Sequence, residues 1–169
     1  FDAVDKSDHL SENKGVFSNE DAIARFGIGK NMVSSMRHWS IASGMLTESV
    51  KSAHITATDI GRMLLSNDGL DPYMEQPATL WLIHWNLSAR ETKTTWFWAF
   101  NHFQKTPFDR DHLVQGLEMV AHEQQWTRVA TATIKRDVDC FIRTYVSRFA
   151  ANNPAIEDAL ESPLTELGL

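Results

Sequence analysis

The sequence predicts a mainly α-helical protein with two winged helix-turn-helix-like lobes around an aromatic helical centre. Three observations carry that prediction. Over 17–65, two helical stretches flank a Gly27-Ile28-Gly29 break and lead into a short strand, a polar tip and a return strand. Over 78–104, two helices are dense in tryptophan and phenylalanine. Beyond Asp109, a second pair of helices is separated by a polar turn. The chain divides accordingly into an N-terminal segment (1–16), a winged helix-turn-helix (17–66), an aromatic linker or core (67–107), and a second helix-turn-helix-like lobe with an acidic tail (108–169). It opens at Phe1 as if within the tail of a helix and closes as a new element begins. A piece of a longer protein, trimmed at both ends, is therefore expected.

Each element has a local reason. Ser18 followed by Asp21 reads as a cap with an acid in the first turn, which starts a helix over 19–26. Ala22, Ile23 and Phe26 share its inward face. Gly27 and Gly29 supply the permissive backbone of a sharp turn. The next helix, 30–43, is expected to pack through Met32, Ser35, Met36, Trp39 and Ala42 and to turn Lys30, Asn31, Ser34, Arg37, His38 and Ile41 outward. Gly44 stops it. A strand over 45–47, a tip over 48–53, a return strand over 54–56 and a further helix from Thr58 complete the lobe. Two prolines, a glycine and two aspartates make 66–77 a loop. Apolar residues surround the helices at 78–88 and 94–104 almost completely, so these are expected to form the buried centre. Asp109 caps a helix running to residue 124. After a turn over 125–131, a long helix to about residue 149 packs through Ile134, Val138, Phe141, Ile142 and Tyr145, opposite Arg136, Cys140, Arg143 and Ser147.

Composition narrows the function classes. With 43% hydrophobic and 22% charged residues, the chain is globular rather than disordered. No apolar run approaches the roughly 20 residues of a membrane span. A lone Cys140 excludes an intramolecular disulfide, and a reducing cytoplasm is the expected setting. The formal net charge of −6 argues against a general nucleic-acid binder, but the charge is uneven. Residues 125–148 set five basic side chains against two carboxylates, whereas 66–124 and 149–169 are strongly acidic. Local basic surfaces on an otherwise phosphate-repelling molecule are the result.

Several separated phrases carry a family resemblance. They are Ile28-Gly29-Lys30-Asn31-Met32-Val33, Asp68-Gly69-Leu70-Asp71-Pro72-Tyr73, Pro77-Ala78-Thr79-Leu80-Trp81-Leu82, Thr95-Trp96-Phe97-Trp98-Ala99-Phe100-Asn101 and Lys135-Arg136-Asp137-Val138-Asp139. Over roughly 17–149 the chain resembles the SspB-like bacterial family, long called a domain of unknown function. Its members are encoded in DNA phosphorothioation gene clusters beside enzymes similar to phosphoadenosine phosphosulfate reductase. The resemblance implies a part in replacing a backbone phosphate oxygen of DNA by sulfur. Duplex DNA and the sulfur-transfer enzymes of the same system would be the partners. Family members are associated with nicking DNA, yet no nuclease motif is recognisable here, and the catalytic residues stay unknown.

The candidate contacts fall into two sets. Lys30, Asn31, Ser34, Arg37 and His38 suit a major groove, because arginine reads guanine, asparagine reads adenine, and lysine or serine holds phosphate. Lys51 and His54 near the strand tip suit phosphate or the minor groove, an ordinary exposed hairpin being the bland alternative. Thr131, Thr133, Lys135, Arg136 and Arg143 form the second set. There the threonines can equally cap their own helix, and Asp137 and Asp139 can neutralise the cations in local pairs.

Nicking would require a divalent metal or a positioned nucleophile. Asp68, Asp71 and Glu75 are acidic candidates on a sterically free loop, but Asp, Gly and Pro are also what plain turns are made of. Asp137 and Asp139 diverge on their helix, and Glu118 with His122 lacks a third ligand. Cys140 has no activating neighbour, no glycine-rich phosphate loop exists, and the aromatic cluster at 81–103 reads as core rather than as a base-stacking platform. No metal site and no cofactor are evident. The functions left open are a DNA-positioning or DNA-nicking component, a protein-docking adaptor, and a winged-helix transcriptional regulator.

Overall fold

In the computed structural model the described residues are 1–6, 16–17, 20–49, 54–127, 129–146 and 163–169. The protein is mainly helical and divides into two compact units, Phe1–Asn86 and Leu87–Leu169.

The first unit opens with α1 (Asp2–Asp5), followed by α2 (Glu20–Phe26) and α3 (Lys30–Ala42). Gly27 makes the turn between the last two with φ +67°, a conformation costly for other residues; Gly29 is extended at φ −67° and serves as the N-cap of α3. Gly44, at φ +79°, ends α3, its N–H donating to the Ile41 carbonyl. Strands β1 (Leu46–Glu48) and β2 (Ile55–Ala57) then pair antiparallel with Leu46 opposite Ala57 and Glu48 opposite Ile55. Strand alternation puts Leu46, Ile55 and Ala57 into the core, where they meet Val4, Val16, Phe17, Ala22 and Val33. The Phe17 and Phe26 rings stack there at 5.9 Å.

Helix α4 (Asp59–Leu65) follows at once. The Thr58 hydroxyl oxygen accepts the Gly61 N–H at 2.9 Å and donates to the Gly44 carbonyl at 2.8 Å, so one side chain caps α4 and ties it to the end of α3. Gly61 is obligatory: a Cβ there would stand 2.2 Å from the Met45 carbonyl oxygen. Arg62 bonds Asp5 at 3.0 Å, fastening α4 to α1. A loop leads to α5 (Pro77–Ser88), within which the two units divide.

The second unit contains α6 (Thr94–Asn101), α7 (Arg110–Glu123), α8 (Thr131–Tyr145) and a 3-10 turn, Thr165–Leu167. No strand occurs among its described residues. Asp109 caps α7 in a reciprocal box with His112, and Gln125, at φ +53°, makes the turn toward α8. Leu113, Val114 and Leu117 of α7 and Ile134, Val138, Phe141 and Tyr145 of α8 are buried. Phe141 meets the Trp96 ring edge-on at 5.6 Å. Gly116 admits the Trp98 ring, which a Cβ would meet at 2.3 Å.

Three expectations about packing are corrected. In α3 Ala42 is buried as expected, but Met32 (59% exposed), Ser35 and Met36 face solvent, while Val33 is buried and Ile41, expected outward, packs against the core. Two apolar stripes lie one residue apart on this helix, and helical period alone cannot choose between them. Ile23 of α2 is likewise exposed. Trp81, Trp85 and Phe100 are also exposed, so the aromatic helices are not a fully buried centre; burial there is confined to residues such as Leu87, Thr95 and Trp96.

Candidate nucleic-acid interface

How a helix begins determines what its N-terminus can bind. The first backbone N–H groups of any helix lack intrahelical partners, and the aligned peptide dipoles make that end positive. Helices α4 and α7 satisfy these groups internally, with Thr58 and Asp109 as caps and Asp59 and Asp111 in the first turn. Helices α3 and α8 do not. Their N-cap positions hold Gly29 and Ala130, no side chain caps either helix, and neither first turn contains an acid. Instead, Lys30 is the first residue of α3, and Lys135 and Arg136 stand in the second turn of α8. A cation beside the positive end of a helix dipole weakens the helix, and an anion there would relieve both charges. Helix α6 also lacks a side-chain cap, but Thr95 and Trp96 bury its first turn.

On α3, Lys30, Asn31, Ser34 and His38 are exposed, and Ser35 and Met32 extend the same open face. Arg37 lies at its flank, half-buried and ion-paired with Glu48 of β1. His38 meets the Trp39 ring edge-on at 5.3 Å. At the hairpin, His54 is half-buried and its carbonyl accepts the Ser49 N–H at 2.9 Å. Lys51 lies outside the described residues, as do Ser18, Ser147, Arg128 and Arg148.

On α8, Thr131, Thr133, Lys135, Arg136 and Arg143 are all exposed. Arg136 and Arg143 share a stripe seven residues apart, and Thr131 and Lys135 lie one turn apart. The expected local neutralisation takes another form. Asp139 grips Arg110 of α7 with both oxygens, at 2.6 and 3.0 Å, and that hydrogen-bonded pairing holds the guanidinium more firmly protonated. Lys135 and Arg136 make no ion pair with a described residue. The uncapped starts and the Arg110–Asp139 pair are what sequence reading missed. Gly and Ala at the cap positions were a visible signal for the first; nothing local signals a pair 29 residues apart.

The remaining chemistry is structural. Burial pushes the Cys140 thiol up, the opposite of an activated nucleophile, with nearby Arg143 only opposing this. Asp71 is buried, and its carboxylate accepts the N–H groups of Glu75 at 2.8 Å and Gln76 at 3.1 Å. A hydrogen bond from Thr79, reinforced by those amides, holds it below the usual carboxylate range. His84 lies edge-on to Trp81 at 5.7 Å, and burial lowers its pKa. Among the described residues, no three His, Cys, Asp or Glu side chains gather as a metal site. No helix among the described residues is long and apolar enough to cross a membrane.

The sequence profile of the family described as "Protein of unknown function (DUF4007)" matches residues 1–169. The chain belongs to that family. Two solved structures resemble this DUF4007 protein along 99% of its length. One is described as "Magnesium ion-bound SspB crystal structure", with 32% identity and a TM-score of 0.78; the other, "SspB crystal structure", has 29% identity and a TM-score of 0.77. The chain spans about half the length of these SspB chains, 51% and 52% respectively. No curated protein is significantly similar to it.

Proposed function

We propose that this DUF4007 protein binds duplex DNA as a component of a bacterial DNA phosphorothioate modification system, positioning or nicking the duplex for sulfur incorporation. The observation that carries the reading is the pair of uncapped, acid-free starts of α3 and α8, with Lys30 in the first turn of α3 and Lys135 and Arg136 in the second turn of α8. In each unit this is the second helix of a helix-turn-helix arrangement, the one whose N-terminal residues contact DNA in such motifs. Backbone amides and cations there would hold phosphates, and the open α3 face of Asn31, Ser34 and His38 would meet base edges. On this reading the first unit is a winged helix-turn-helix, with the β1–β2 hairpin as its wing, and the second is a helix-turn-helix-like counterpart. Similarity to SspB supports a role in phosphorothioation. The partners would be DNA and the system's sulfur-transfer enzymes, similar to phosphoadenosine phosphosulfate reductase, in the cytoplasm. Among the described residues no cluster of carboxylates matches the magnesium named for one SspB structure.

The test is a duplex oligonucleotide titrated at two salt concentrations. With about four phosphates neutralised, affinity should fall on the order of 100-fold between about 50 and 200 mM salt. Absence of duplex binding even at low salt would overturn the reading in favour of a docking adaptor.

A further inference from the structure

The loop between α4 and α5, and the helix it leads into, display the most exposed large apolar side chains among the described residues of the first unit: Tyr73 at 82%, Leu70 at 73% and Trp85 at 67%. Met74 and Trp81 are exposed beside them in the sequence. Scattered apolar residues are normal on a surface, but a concentration of them marks an interaction site.

This loop is built to hold its shape. The N–H groups of Leu70 and Asp71 donate to the carbonyls of Met63 and Leu64, each at 2.9 Å, extending the end of α4. The buried Asp71 carboxylate gathers the amides of Glu75 and Gln76. Gly69 passes so close to α4 that a Cβ would stand 2.4 Å from the Leu64 carbonyl oxygen. Met74 is held at φ +55°, a left-handed conformation that costs a long side chain about 1 kcal/mol and persists only where its surroundings enforce it. The outcome is a stiff connector with its apolar side chains turned to water, continued by Trp81 and Trp85 one turn apart on α5. Preorganised aromatic anchors of this kind dominate protein–protein binding energy.

Charge decides what kind of partner fits. Residues 66–88 contain no Lys or Arg, and the exposed carboxylates of Asp68 and Glu75 flank the anchors. Such a surface repels nucleic-acid backbones and anionic lipid, and it lacks the cations that accompany base stacking. We propose that Leu70, Tyr73, Met74, Trp81 and Trp85 form a docking surface for a partner protein that presents an amphipathic helix whose apolar face is flanked by Lys or Arg. The claim stands apart from the DNA-binding reading.

A labelled helical peptide of Leu and Lys, titrated against the full chain and followed by anisotropy, serves as probe. A Leu and Glu peptide and a single-stranded oligonucleotide are compared in parallel. The Leu/Lys peptide should bind saturably. Its affinity should fall about tenfold in Tyr73→Ser/Leu70→Ser and again in Trp81→Ser/Trp85→Ser, as expected for anchor residues. Asp68→Lys/Glu75→Lys, which leaves the anchors intact, should also weaken it, while Met119→Ser in the other unit should leave it unchanged. Circular dichroism checks that each variant remains folded. Equal binding by all variants would overturn the proposal. So would preference for the Leu/Glu peptide, tighter binding of the oligonucleotide at these residues, or self-association of the chain abolished by the same substitutions.

Discussion

Helices α4 and α7 begin with side-chain caps and acids, and the Arg110 that opens α7 is paired with Asp111 and Asp139; α3 and α8 begin after glycine or alanine with neither cap nor acid. The first pair illustrates what stability alone favours, since a good cap contributes about 1 kcal/mol. The second pair forgoes that contribution in the same molecule. On the proposed reading, that contribution is forgone because α3 and α8 take an anion from outside. Their surroundings differ in turn: Glu48 occupies Arg37 beside α3, whereas Asp139 is drawn to Arg110 and leaves Lys135 and Arg136 without a described ion partner. The second unit should therefore hold phosphate more firmly than the first.

Four variants break or sharpen this contrast. Lys135→Ala/Arg136→Ala should have the largest effect, lowering duplex affinity on the order of tenfold or more and reducing the salt slope by about two. Next, Lys30→Ala should reduce the slope by about one, and Arg37→Ala should cost less affinity than Lys30→Ala because Glu48 already engages the guanidinium. Parallel anisotropy titrations rank the three. Thr58→Ala removes a cap from the other class of helix; chemical denaturation should show a loss of about 1 kcal/mol while DNA binding is unchanged.

The smallest effect concerns pH. The Asp71 carboxylate is held below its usual range by Thr79 and the loop amides, so its contribution is complete above the unfolded carboxylate pKa. It is lost as pH falls through the folded value. Asp71→Asn should therefore lower the melting temperature at neutral pH and flatten its decline toward acid. A variant melting curve parallel to wild type across acid pH would contradict this.

Much of the architecture was legible in the sequence because its punctuation is local. Gly27 and Gly44 adopt positive φ where the turn and the helix stop were expected, Asp109 caps α7 as expected, and Thr58, read as the first residue of a helix, is its cap. Packing direction was less legible. On α3 the Met32/Met36 stripe and the Val33/Ile41 stripe are equally apolar, and only the tertiary position of β1 and β2 selects the second. Aromatic density suggested burial for Trp81 and Trp85, but exposure depends on what stands opposite them, which spacing does not encode. The candidate interface was read from residue type and face, and Lys135, Arg136 and Arg143 of α8 are exposed. The pairings that set how available each cation is, Arg37 with Glu48 and Arg110 with Asp139, join residues from different elements.

The most direct measurement installs on α8 the feature it lacks. Ala130→Asp adds an acidic cap to an extended N-cap position that already has suitable backbone geometry. If the helix starts hold phosphate, this variant should melt at a higher temperature than wild type and yet bind duplex DNA more weakly at low salt. Higher stability with undiminished DNA binding would contradict the account.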